Sequence, residues 1–83
     1  MKIRVPNGRE TPQYSNLSII DSKFEEIILN LAYVEGDEIA PIAALVAKIA
    51  LHPRNAKRLC RALDDALNAY EKKYGQIEDK PIH

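Results

Sequence analysis

The 83-residue sequence has no tryptophan, one phenylalanine, one methionine, one cysteine and three glycines. Each scarcity removes a class of protein. A single thiol, Cys60, cannot form an intrachain disulfide, which argues against a disulfide-stapled secreted scaffold. The three glycines stand alone, so there is neither a glycine-rich phosphate loop nor a nucleophile elbow. His52 and His83 are too few and too distant to suggest a zinc site, and no His, Cys and carboxylate cluster has ligand spacing. No metal and no cofactor are therefore expected. Long hydrophobic runs are also missing. The longest, Ile42 to Leu51, is about half of what a membrane span needs and is interrupted by Lys48. No basic-then-apolar leader opens the chain, so the expected setting is a reducing cytoplasm without a membrane partner.

What is present is an ordinary apolar and charged mixture, 46% and 29% of residues, which places the chain among globular domains rather than disordered or fibrous ones. At this length one chain buries only about 60% of its unfolded surface and is marginal alone, so help from a second copy is plausible from the start. The formal net charge is zero, which argues against a generic polyanion binder, yet the charges are sorted. Residues 1–13 carry +2, residues 14–45 carry −5 and residues 46–83 carry +3. The simplest expectation is that these blocks neutralise one another.

Three segments follow from local patterns. Residues 1–13, with Pro6-Asn7-Gly8 and Thr11-Pro12, read as an extended N-terminal arm. Residues 14–75 read as one domain, and residues 76–83 as a polar tail. Within the domain, Tyr14 to Ile20 is strand-like and Asp21-Ser22-Lys23 reads as a turn. From Phe24 to Val34 the residues Ile27, Leu29, Leu31 and Tyr33 alternate, which puts them on one face of a second strand. Glu35 to Glu38 forms an acidic turn.

Residues 39 to 51 are ambiguous, because the alanines favour helix while Ile42, Val46 and Ile49 favour strand. A helix there would be apolar nearly all round, which so small a protein could hardly bury, so a strand is favoured. As a strand it places Ala43, Leu45, Ala47, Ile49 and Leu51 on one face. The last element is the clearest. Pro53 suits the first turn of a helix and Gly75 the left-handed position past its end. Between them Ala56, Leu59, Cys60, Leu63, Ala66, Leu67, Tyr70 and Tyr74 recur at spacings of three and four, an apolar stripe over about six turns. Cys60 in that stripe reads as a small packing residue rather than a nucleophile. The fold class is α+β: a three-stranded antiparallel β-meander followed by one long C-terminal α-helix (βββα), in two layers.

Several residues carry a resemblance. Pro53, Ala56-Lys57, Leu59, Ala62-Leu63 and Leu67, followed by Tyr70-Glu71, Tyr74-Gly75 and Ile77, resemble the C-terminal helix of the small prokaryotic proteins grouped as domain of unknown function 3467. Tyr14-Ser15-Asn16 resembles that family's strand-opening signature, and Glu26-Ile27, Leu29-Asn30-Leu31 its second-strand pattern, with Ile27, Asn30 and Leu31 as departures. The resemblance spans residues 14 to 77. It implies an antiparallel sheet followed by a long helix, which assigns residues 39–51 to a strand, and it implies no activity. Two departures touch the helix start: His52 stands where the family usually has a serine cap, and Asn55 where it usually has histidine.

Enzyme readings have little to stand on, and no catalytic residue is expected. Glu25-Glu26 and Asp64-Asp65 are paired only in sequence, since neighbours diverge on a strand or a helix. The basic run His52, Arg54, Lys57, Arg58 and Arg61 is the candidate anion- or partner-binding site. It places positive charge where the helix dipole disfavours it by roughly 0.3–1 kcal/mol each near the end. Free helix N–H groups beside arginines can hold phosphate or a nucleic-acid backbone. The favoured alternative is neutralisation, Arg61 by Asp64 and Asp65 and the others by the acidic turn. Nucleic acid is a possible but less favoured partner, because no reading motif is present and the tyrosines are explained as core or edge residues. One long helix also excludes a ribbon–helix–helix factor. A small ligand on the sheet surface is a third reading.

Self-association is the stronger expectation. A sheet face carrying Ile20, Ile28, Ala32, Val46 and Val34 is too apolar for comfortable exposure, and the first or third strand is an open edge. The expected interface residues are Tyr14, Asn16, Ile20, Ile28 and Val46, and the expected partners are a second copy in a homodimer and an unidentified protein. The expected function is that of a non-enzymatic binding or adaptor module.

Overall fold

The computed structural model describes residues 1–36 and 38–79. Three strands and one helix follow one another: β1 (Leu17–Ser22), β2 (Ile27–Glu35), β3 (Ile42–Leu51) and α1 (Pro53–Tyr74). The strands form one antiparallel sheet in the order β1-β2-β3, so both β1 and β3 are edges. This is the expected α+β, βββα arrangement. The alanine-rich segment is a strand, as its all-round apolarity argued, and no helix among the described residues is long and apolar enough to cross a membrane.

The first strand starts three residues later than expected and runs through Asp21 and Ser22, which were expected to turn. The turn is instead the tight hairpin from Lys23 to Glu26, closed by the Lys23 N–H donating to Glu26 O at 2.9 Å. The residues expected to open the strand act differently. Asn16 N–H donates to Ala32 O at 3.0 Å. Its side chain then takes over the ladder, with Nδ2 donating to Val34 O at 3.0 Å and Oδ1 accepting from Val34 N at 2.7 Å. A carboxamide carries the donor and acceptor of a peptide unit, so Asn16 completes the pairing of β2 where β1 has not yet begun. Ser15 Oγ lies 2.8 Å from Ala32 O and 3.1 Å from Leu17 O, sharing its one proton between them.

Register settles the faces. Ile20 pairs with Leu29, and Leu29 with Ile49, so these three share a face; Asp21 pairs with Ile28, which lies on the other. The expected grouping of Ile20 with Ile28, Ala32 and Val34 is therefore corrected: residues one apart on paired strands alternate sides, and Ile20 falls opposite an odd position of β2. A second correction comes from a bulge. Leu31 pairs with Ala47 but Ala32 pairs with Leu45, so Val46 is the residue the ladder skips. One extra residue shifts the alternation, so Ala43 and Leu45 leave the face of Ile49 and Leu51 and stand opposite Val34 and Ala32.

The two faces differ in chemistry. The far face carries a polar row, Asp21, Asn30 and Lys48 among apolar neighbours, with Asn30 Nδ2 donating to Ile19 O at 3.1 Å and to Asp21 Oδ2 at 3.2 Å. The near face is dry: beyond Ser18 and Ser22 it presents Ile20, Leu29, Leu31, Tyr33, Ile49 and Leu51, and it ends at Glu35. Gly36 makes the turn into β3 at φ 97°, where a Cβ would lie 3.0 Å from Ala40 O.

The helix begins as its sequence dictates. Pro53 opens it, and His52 caps it: His52 Nδ1 accepts the Arg54 N–H at 3.1 Å, the bond a serine cap would make. At the other end the Gly75 N–H donates to Glu71 O at 2.9 Å. Gly75 has the expected positive φ, 100°, but ψ is 170°, so the chain leaves extended rather than left-handed. Glu71 Oε2 then accepts the Ile77 N–H at 2.9 Å and folds the tail back. The tail's last four residues, including His83, lie outside the described residues.

Very little of the chain is buried. Among the described residues the buried apolar side chains are Ala32 and Val34, both on β2, and no residue of α1 is buried. The radius of gyration is 15.4 Å, against about 12 Å for a compact chain of this length. The helix meets the sheet only with its first turns.

Candidate functional site

Two regions have the chemistry to do something: the start of α1 with its basic side chains, and the apolar surfaces of α1 and the sheet.

The one-residue link at His52 fixes the start of α1 at the Leu51 end of β3. There Ala56, Leu59, Cys60 and Leu63 face Ile20, Ile27, Leu29 and Leu51 across an open cleft. Ala56 and Leu59 are half-buried by this contact, while Cys60 is an exposed free thiol. The expectation of a packed Cys60 is thus not met within one chain. From Cys60 through Tyr70 every residue is exposed, the stripe residues included.

Of the five candidate basic-run residues, His52 is committed to the cap. Arg54, Lys57, Arg58 and Arg61 are exposed and, among the described residues, enter no ion pair. The expected neutralisation by the acidic turn fails for a topological reason. That turn joins β2 to β3, while the helix starts at the other end of β3, a ten-residue strand or about 33 Å away. The strand expected between the acidic turn and Pro53 already separates the two, and the charge count along the chain left it out. The carboxylates that do stand beside the helix start are Glu25 and Glu26, which line a cleft with Phe24, His52 and Pro53. Arg61 does not pair with Asp64 or Asp65. Two acidic side chains beside the first turn oppose an incoming phosphate.

Among the expected interface residues, Tyr14 packs edge-on against Tyr33 with ring centroids 5.8 Å apart, tying the arm to the near face. Asn16 is consumed by its bonds to Val34. Ile20 lies in the cleft under α1, Ile28 on the far face, and Val46 at the bulge, so the structure does not bring these five together. The helix tyrosines, expected as core or edge residues, are exposed: Tyr70 and Tyr74 stack on each other at 4.9 Å, with Lys73 Nζ 5.3 Å from the Tyr74 ring centroid. Among the described residues no group of three or more His, Cys, Asp or Glu side chains is placed to hold a metal ion.

Residues 1–79 match one protein-family model, that of the protein of unknown function DUF3467. The chain belongs to the DUF3467 family. No curated protein and no solved structure matches it. The DUF3467 model reaches further than residues 14 to 77, taking in the arm as well. The family carries no catalytic name, so it assigns no reaction to any residue here.

The surface that sequence reasoning missed is the half of the near face that α1 does not reach, where Ile42 and Ala44 are exposed, Tyr33 is partly screened by Tyr14, and Leu31 and Ala47 are half-buried. The period-two pattern identified the face; only the direction of α1 shows that the helix leaves it bare.

Proposed function

We propose that this DUF3467 protein is a small non-enzymatic binding or adaptor domain of the cytoplasm that self-associates. One observation carries the reading: a 22-residue amphipathic helix has no buried residue within its own chain. Isolated helices are marginal in water, and most helical stability in proteins comes from packing an apolar face. The stripe of α1 therefore needs a cover, and a homodimer is the commonest way to supply one. A lone free thiol and the absence of a membrane-spanning helix among the described residues are consistent with a reducing aqueous compartment. Sedimentation velocity from micromolar to millimolar protein tests the reading. The expected mass is a multiple of 9.4 kDa, and a 9.4 kDa species at every concentration refutes it.

A second reading, a nucleic-acid-associated or regulatory protein, rests on the four unpaired cations Arg54, Lys57, Arg58 and Arg61. Glu25 and Glu26 beside them weigh against it. If it holds, affinity for a DNA or RNA duplex falls steeply with salt and is lost on charge reversal at Lys57, Arg58 and Arg61. Binding indifferent to both removes this reading.

A further inference from the structure

We infer that the cover of α1 is the sheet of a second copy: the second half of each helix lies on the uncovered half of the partner's near face. This rests on the self-association proposed above and says which surfaces meet.

Area gives the first argument. The chain exposes 7901 Å². A folded monomer of 9.4 kDa exposes about 5000 Å². Much of the excess lies in residues 1–13 and in the residues past Gly75, and what remains includes the exposed stripe of α1 and the part of the sheet it does not reach, apolar surface that a second copy can bury.

Chemistry says which surface it is. Leu63, Leu67, Tyr70 and Tyr74 are each about half exposed or more, as are Ile42 and, somewhat less, Tyr33 and Ile49. These are two dry surfaces in one chain, a stripe and a half-face, and each is covered only in part, the half-face by Tyr14 against Tyr33 and the stripe by Ile77 beside Leu63, Leu67 and Tyr70. They cannot meet within the chain, because His52 pins the helix start at the opposite end of β3 and α1 leaves the sheet after Leu63, the last of its residues to line the cleft. The helix spans about 33 Å, as does β3, so a partner's helix fits the strand it would cover. The far face is a poorer choice, since Asp21, Asn30 and Lys48 cross it and Ala32 and Val34 are already buried there.

Charge fixes the direction. Lys72 and Lys73 stand in the last turn of α1, and Glu35 and Glu38 flank the turn at the bare end of the sheet. Laying the second half of α1 on the partner's bare half-face brings the two lysines to the two glutamates. The reverse direction leaves both pairs unopposed.

Mixed cross-linking tests this arrangement in a Cys60→Ser background. Chains carrying Ala47→Cys are refolded together with chains carrying Ala66→Cys and oxidised. The expected product is a disulfide between the two kinds of chain, several-fold above either self-linked product. In parallel, Leu67→Glu is expected to raise the dissociation constant at least a hundredfold, and Leu45→Glu on the far face to change it less than threefold. Glu35→Lys with Glu38→Lys is expected to weaken association tenfold and Lys72→Glu with Lys73→Glu to restore it. A two-chain mass with only self-linked products, or one that Leu45→Glu and not Leu67→Glu destroys, overturns this arrangement and leaves self-association standing. A single-chain mass for the unmodified protein overturns both.

Discussion

Replacing Asn16 with alanine removes two hydrogen bonds for which the fold has no substitute. Both go to Val34, whose N–H and C=O point toward β1 at a level where β1 has no residue to answer them. Val34 is 9% exposed, so water has poor access to the orphaned pair. Leaving a buried donor or acceptor unpaired costs about 1–3 kcal/mol. With partial hydration at the end of the sheet, the two together cost about 2–4 kcal/mol, or a fall in Tm on the order of 10–20 °C for a domain of this size. Asn16→Asp separates the two bonds: it keeps the acceptor for Val34 N–H but sets a carboxylate oxygen against Val34 C=O, and its loss is expected to be at least as large as that of alanine. Urea unfolding followed by circular dichroism measures both, at one fixed protein concentration, because association adds to apparent stability by mass action. An Asn16→Ala loss under about 0.5 kcal/mol, or an Asn16→Asp variant as stable as the unmodified protein, would show that the carboxamide does not stand in for a strand residue.

Other substitutions probe the helix start, the acidic turn and the bare helix face. His52→Ala removes the cap and is expected to cost about 1 kcal/mol, whereas His52→Ser restores an acceptor and stays within a few tenths; equal losses in the same urea assay would deny the capping role. Gly36→Ala forces a Cβ against Ala40 O at positive φ and is expected to cost roughly 1–3 kcal/mol, while an unchanged midpoint would show the turn to be relaxed. Dilution of the unmodified protein should lower its Tm, since the helix loses its cover as copies separate; a Tm independent of concentration over a thousandfold range speaks against that coupling.

The helix was legible to the residue because three signals agree there: the 3.6-residue stripe, Pro53 at the start and Gly75 after the end. The third strand was legible from burial rather than periodicity, since an all-apolar helix has nowhere to go in so short a chain, and the family resemblance pointed the same way. The first strand was misplaced because Asn16 behaves as part of the ladder through its side chain, which no propensity scale registers. The bulge at Val46 was invisible for a related reason: alternation reads each strand as unbroken, and an extra residue is apparent only from its partner strand. The expected neutralisation of the basic run by the acidic turn failed because it compared charges along the chain and left out the strand between them, which sets the two at opposite ends of the sheet. Periodicity likewise identified the stripe of α1 as apolar without saying what would cover it.

That cover is the central claim, and one measurement reaches it directly. In a sample refolded from equal parts of isotope-labelled and unlabelled chains, filtered nuclear Overhauser spectra report only contacts between copies. Cross-peaks from the Leu67 methyl groups of one chain to the Ala47 methyl group and the Tyr33 ring of the other are the predicted result. Inter-chain cross-peaks confined to the far-face residues Ile28 and Leu45, or to the β1 edge, would contradict it.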